Sequence, residues 1–281
     1  MTDFYRNKLA AALFAFTLGM APAAHAVPKA SSVPGGIAIV PLGPSSASAT
    51  PPSAWLGEQA VWVTRENGQW LAVVGLALDF PVGTHELRIN QGSAQKIQRF
   101  DVHAKKYPEQ HITLKDSSKV NLSPEDEARA VEEIARIQRL RRQWSAAADT
   151  DSQFILPADG RLASRFGLRR FFNGEARSPH SGLDVAVGRG TPIKASSHGK
   201  VLAVDDYFFN GKTVFVDHGN GLISMYCHLD RISVQAGQTV AQGQPVGLSG
   251  MTGRASGPHL HWSVALNGVM VDPELFLKLK K

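Results

Sequence analysis

The sequence predicts a mainly β protein: a small N-terminal antiparallel β-sandwich, a linking α-helix and a larger all-β C-terminal domain. Three observations carry this expectation. The 281 residues contain 26 Gly and 16 Pro, which mark frequent turns. Short runs rich in Val, Ile, Phe and Trp recur between those turns, as strands do. Only one stretch, after Ser123, keeps a sustained helical period. A hydrophobic content of 43% with 19% charged residues excludes disordered and coiled-coil classes. The net charge of +6 suits nucleic acid, an anionic membrane or an acidic polymer and does not choose among them.

Residues 1–26 carry Arg6 and Lys8, an apolar stretch from Leu9 to Met20, and Ala24-His25-Ala26. A basic start, a short apolar core and small residues before a cleavage point make a secretory signal peptide, with cleavage expected after Ala26. The expected location is periplasmic, with secretion beyond the cell as the further option. No apolar run approaches the eighteen or so residues of a transmembrane helix, so none is expected in the mature chain.

Residues 27–54 are rich in Pro, Ser, Ala and Gly and read mostly as a linker, with Gly36–Val40 as a strand candidate. Residues 55–122 hold strand-like runs at Ala60–Val63, Trp70–Val74, His85–Ile89 and Gln98–Val102, with turn signals at Glu66-Asn-Gly68 and Phe80-Pro-Val-Gly83. In the connecting segment 123–150, Ser123 caps a helix, Pro124 suits its first position, and Glu125, Asp126 and Glu127 complement its dipole. The helix is expected to reach Trp144, with an apolar stripe through Val131, Ile134, Ile137 and Leu140. Its arginines read as a solvated face rather than a nucleic-acid grip, because an exported protein rarely meets nucleic acid. Residues 151–281 suggest strands at Gly199–Val204, Thr213–Val216, Ile223–His228, Pro245–Leu248 and His259–Ala265, then a short helix from Asp272.

The chemistry sits in this second domain. In Gly257-Pro-His259-Leu-His261, a strand would project both imidazoles to one face. In Ser178-Pro-His180-Ser-Gly-Leu-Asp184, Asp184 opens an apolar strand, where an unpartnered carboxylate is costly. His180, Asp184 and one downstream imidazole would supply three protein ligands, the number a catalytic Zn²⁺ takes while leaving a position for water. In Tyr226-Cys-His228, strand alternation places Tyr226 and His228 on one face and Cys227 on the other, buried side.

Ser164-Arg-Phe-Gly167, Arg177–Asp184, Gly190-Thr-Pro-Ile193, Asp217–Gly221, Tyr226-Cys-His-Leu229 and Gly257–His261, taken in order, resemble the lysostaphin/LytM-type zinc endopeptidases of bacterial cell walls. The resemblance covers roughly residues 154–275. It implies a duplicated-hybrid-motif β fold whose narrow groove cleaves peptide bonds of peptidoglycan, with one Zn²⁺ per chain. By that resemblance His180, Asp184 and His261 match the metal ligands, and His228 and His259 match the catalytic histidines. Residues 55–114 also look like the small β domain that precedes the catalytic domain in some periplasmic members.

The expected partners are peptidoglycan peptide stems, with a regulatory protein on the N-terminal domain as a further candidate and no nucleic acid. Arg165, Arg170 and Arg177, in a stretch with five Arg among seventeen residues, could line a groove for a carboxylate-bearing stem or form a solvated loop. Tyr226 is a further substrate-binding candidate. Phe171-Phe-Asn-Gly174 stands where relatives that cut Gly-rich bridges often carry a Tyr, which points to a D-amino-acid cross-link instead. Two rival readings are an amidase activator or wall-binding protein without catalysis, and a biotinyl or lipoyl carrier. All five site positions are filled, against the first. No lysine sits in a carrier's hairpin context, against the second.

Overall fold

The structure, a computed structural model, describes residues 27–45, 50–113 and 122–278. The expected signal peptide, its cleavage point and the terminal Lys280 and Lys281 lie outside the described residues.

Six strands form the N-terminal sheet: β1 (Ile37–Pro44), β2 (Ser53–Leu56), β3 (Gln59–Glu66), β4 (Gln69–Gly75), β5 (Gly83–Gln91) and β6 (Ala94–Val102). They run antiparallel in the order β1-β4-β3-β2-β5-β6. The β3–β4 hairpin turns at Asn67 and Gly68, with φ of 49° and 74°, the left-handed pair that matches strand twist. Alternation then sorts the side chains. Ala38, Val40, Ala72, Val74, Leu87 and Ile89 fill a core internal to this domain. Ile37, Trp62 and Val73, on the other face, pack into the core of the C-terminal domain. The Pro/Ser/Gly-rich stretch expected as a linker therefore contains β1 and the start of β2. Its Ile37–Val40 run buries both faces, which outweighs the turn-forming composition around it.

A short strand, β7 (Glu109–Ile112), and one helix, α1 (Pro124–Arg141), connect the domains. Ser123 caps α1 as expected, its Oγ accepting from the Asp126 N–H at 3.1 Å. The helix stops at Arg141, short of Trp144, and its apolar stripe is narrower than expected. Ile137 and Leu140 pack on a cluster around Tyr207 and Phe215, whereas Val131 and Ile134 face outward. Polar ties set this rotation. Glu133 pairs with Arg129 at 2.7 Å and accepts from the Phe208 N–H at 2.6 Å, while Arg136 pairs with Asp205 at 2.5 Å.

The C-terminal domain contains β8 (Arg161–Ser164), β9 (Arg169–Phe172), β10 (Glu175–Ala176), β11 (Leu183–Ala186), β12 (Pro192–Lys194) and β13 (Gly199–Tyr207). It continues with β14 (Gly211–Asp217), β15 (Leu222–Ile232), β16 (Thr239–Val240), β17 (Pro245–Ser249), β18 (Leu260–Leu266), β19 (Val269–Val271) and a 3-10 turn at Pro273–Phe276. The main sheet runs β16-β13-β14-β15-β18-β11-β8. One face, bearing Leu183, Val185, Tyr226, Leu260 and Trp262, forms the principal core. The two domains are joined by polar contacts as well: Asn267 Oδ1 accepts from the Gly75 N–H at 2.6 Å, and its Nδ2 donates to the Gly75 carbonyl at 3.2 Å.

His218 belongs to this scaffold. It is buried, its Nδ1 donates to the His198 carbonyl at 2.6 Å, and its Nε2 lies 2.8 Å from Ser224 Oγ. Burial pushes its pKa down to about 4, against a partial offset from the His198 carbonyl. The unfolded chain takes up this proton near pH 6.5 and the folded chain only near 4, so stability falls as pH drops through that window. The expected loss between pH 7 and 4 is up to about 3 kcal/mol, read from denaturant midpoints. His218→Gln should flatten that slope; an unchanged slope would refute the assignment.

Candidate metal centre and its cleft

Strand β11 lies between β18 and β8, and this order assembles the site. Asp184 stands opposite His261 on one side and opposite Ser164 on the other, so all three side chains share one face. The loop before β11 brings His180 over the same face. The loop is held at His180 itself, whose N–H donates to the Leu168 carbonyl at 3.0 Å and whose carbonyl accepts from the Gly167 N–H at 2.8 Å.

The donor atoms converge. Asp184 Oδ1 is 3.0 Å from His180 Nε2 and 2.9 Å from His261 Nδ1, and those two nitrogens are 3.1 Å apart. Each ring is anchored through its other nitrogen. His180 Nδ1 donates to the Arg165 carbonyl at 3.0 Å, and His261 Nε2 donates to Ser263 Oγ at 2.8 Å. With both rings neutral in the tautomer a metal ion requires, two lone pairs and a carboxylate oxygen point at one place; with the rings protonated, the same nitrogens donate to Asp184 instead. That donor set, with one ligand atom from each residue and all within 4.8 Å, is fit to hold a metal ion. Burial alone would raise the Asp184 pKa, but the hydrogen bonds and charges of His180 and His261 outweigh it and hold the carboxyl well below the usual range. Burial lowers the pKa of His261.

Two more imidazoles face the same place. His259 Nδ1 donates to the Gly257 carbonyl at 2.8 Å, leaving Nε2 3.8 Å from Asp184 Oδ1. His228 Nδ1 donates to the Thr252 carbonyl at 2.9 Å, and its ring lies 4.8 Å from that of His259. Burial, reinforced by nearby His261, pushes the His228 pKa down to about 4. Both rings thus offer an Nε2 lone pair to a cleft of about 750 Å³.

The placement of His228 departs from simple alternation. A register shift sets Tyr226 opposite Val214 but Leu229 opposite Lys212, leaving Cys227 and His228 against one partner residue. His228 takes a left-handed φ of 61° there. The bulge turns His228 to the side of Cys227 and His261, while Tyr226 points to the opposite face. Tyr226 is fully buried, and its hydroxyl accepts from the Ser196 N–H at 2.7 Å and lies 2.9 Å from Ser224 Oγ. It does not line the cleft, contrary to the sequence expectation. Cys227 is buried, as expected, but on the site's side of the sheet; burial pushes its thiol up to about 11.

The three arginines separate. Arg165 pairs with Glu274 and Arg177 with Glu175, and only Arg170 lines the cleft. Arg165 serves the site through its carbonyl. Sequence reasoning missed Ser263, although its position two residues after His261 on a strand was a usable signal. It also missed Arg254, Phe209 and Gln110, which line the cleft from loops and a strand distant in sequence.

Gly182 shows how tightly the second layer is packed. A Cβ there would lie 2.4 Å from Ser263 Oγ and 2.7 Å from the His261 ring. Gly182→Ala is therefore expected to break the Ser263–His261 bond and weaken metal affinity about 10- to 100-fold, measured by competitive chelation. Unchanged affinity would remove the positioning role given to Ser263.

Fold and site together define a β-rich protein with a two-histidine, one-aspartate cluster that could hold a metal ion, beside two further histidines. Residues 178–273 match peptidase family M23, and residues 30–105 match the peptidase family M23 N-terminal domain. A solved putative peptidase M23 from Pseudomonas aeruginosa is 42% identical with a TM-score of 0.74, over 88% of this chain and 95% of that one. The chain belongs to peptidase family M23. Peptidoglycan DD-endopeptidase ShyA of Vibrio cholerae is 41% identical over 113 residues, 40% of this chain and 26% of that protein. DD-carboxypeptidase/endopeptidase Mpg of Neisseria meningitidis is 37% identical over 113 residues, again 40% and 26% of the two chains. The chain spans about a quarter of the length of these curated relatives.

Proposed function

We propose that this protein is a zinc-dependent endopeptidase that hydrolyses peptide cross-links of peptidoglycan outside the cytoplasm. The observation that carries the reading is the convergence of His180 Nε2, Asp184 Oδ1 and His261 Nδ1 beneath the paired His228 and His259. The similarity to named peptidoglycan DD-endopeptidases supports the substrate class. The leader-like sequence of residues 1–26 supports export to the periplasm. Among the described residues, no helix is long and apolar enough to cross a membrane.

His180, Asp184 and His261 would hold one Zn²⁺. When bound, it supplies electrophilic activation of the scissile carbonyl and a water that ionises near neutral pH. The protein's own groups do the remaining work. His180 and His261 are kept in the ligating tautomer by the Arg165 carbonyl and Ser263. One of the His228–His259 pair accepts the proton of the attacking water at Nε2. A protonated Nε2 then donates to the developing oxyanion and delivers the proton to the leaving amine.

The test is digestion of purified peptidoglycan by the mature protein, with bound zinc quantified. One zinc per chain and a fall in cross-linked muropeptides support the proposal. Zinc without cleavage would favour a wall-binding or amidase-activating role, and no zinc after reconstitution would sink the ligand set.

A further inference from the structure

The cleft is not built by the peptidase domain alone. Strand β7, which follows the N-terminal sheet, pairs in parallel with β9, so that Gln110 stands beside Arg170 and His111 beside Phe171. The pairing sorts these residues by face. His111 stacks on Phe171 with centroids 4.5 Å apart and planes at 8°. Gln110 and Arg170 line the cleft together with Asp184 and His259. The segment before β7 is fastened too: the Tyr107 ring packs against Gly167, leaving no room for a Cβ there, and its hydroxyl donates to the Pro34 carbonyl at 2.7 Å. These residues lie between the two matched family segments, 30–105 and 178–273, so the family match does not account for them.

We infer that Gln110 and Arg170 form a specificity subsite that takes a free carboxylate of the peptide next to the scissile bond. The inference rests on the endopeptidase reading and names the feature of the cross-link that the cleft recognises. Arg170 is held at the metal site's edge: its Nη2 donates to Ser164 Oγ at 3.0 Å, and that oxygen lies 3.3 Å from His180 Nδ1. One guanidinium edge is thereby fixed, and a planar fork so held suits a carboxylate. Gln110 is exposed, and its amide makes no hydrogen bond among the described residues. It provides a donor for the second carboxylate oxygen and an acceptor for a peptide N–H. Among the described lining residues the only carboxylate is Asp184, which is committed to His180 and His261, so nothing competes for Arg170 from within the cleft.

The test compares two synthetic cross-linked peptides, one with free carboxylates at the cross-link and one with those groups as primary amides. Gln110→Glu places a fixed carboxylate against Arg170 and is expected to raise KM for the free-carboxylate peptide about tenfold. KM for the amidated peptide, and kcat for both, should stay within about twofold. Arg170→Gln should reduce the preference for the free-carboxylate peptide in the same way. An equal KM rise for both peptides, or no rise for either, would overturn the subsite. If the unmodified protein cleaves neither peptide, the endopeptidase reading falls instead. Binding of both peptides to the metal-free protein by calorimetry then decides the subsite: discrimination lost in Gln110→Glu supports it, and equal affinity of the unmodified protein for both overturns it.

Discussion

Asp184→Asn is expected to lose bound zinc and to lower kcat/KM on cross-linked peptides at least about a thousandfold, while the protein stays folded. Asp184 is the common partner of His180 and His261, at 3.0 and 2.9 Å, and the only acid in the proposed donor set. Asparagine keeps the volume and removes the charge, so the loss isolates electrostatics from packing. Its amide also turns a donor towards two ring nitrogens whose lone pairs the site needs for metal. Burial favours the neutral form of that carboxyl, and the two imidazoles are what hold it ionised. Zinc content by atomic absorption and a thermal melt check the result. Retained zinc with normal turnover would remove Asp184 from the ligand set; a collapsed melt would assign it a folding role instead.

His228→Ala and His259→Ala form the second large effect. Each is expected to reduce kcat about 10²- to 10⁴-fold with zinc content unchanged, because proton transfer rather than metal affinity is removed. Their rings are 4.8 Å apart, and each is oriented by a carbonyl, from Thr252 and Gly257. Two groups handling one proton act as a unit, so the double variant should fall little further than the weaker single variant. Multiplying losses would show that the two histidines act in separate steps. Loss of zinc in either single variant would place that histidine among the ligands.

Much of this site was legible before folding was considered. His259 and His261 share a strand face through alternation alone, and Asp184 at the head of an apolar strand announced a partnered carboxylate. The cap at Ser123 and the hairpin at Asn67-Gly68 were equally local. What failed had non-local causes. Alternation alone places Tyr226 beside His228 on the cleft side, and one bulge against β14 reverses that geometry. Arg165 and Arg177 look like groove residues in a list of basic positions. Only in the folded chain do Glu274 and Glu175 occupy them. The apolar stripe on α1 is wider than its packed face, because partners on β13 and its following turn set the helix's rotation.

By itself, then, the sequence indicated which residues could ligate a metal ion and that the architecture is mainly β. These depend on side-chain identity and on periods of two or three to four residues, which are properties of neighbours along the chain. Tertiary structure alone decided that the N-terminal sheet shares a core with the peptidase domain through Ile37, Trp62 and Val73. It alone brought Gln110 from β7 to the edge of a candidate metal centre whose donor residues lie between residues 180 and 261. Such contacts have no period to read, because they arise where separate faces bury apolar area together and every paired strand must satisfy its backbone at once.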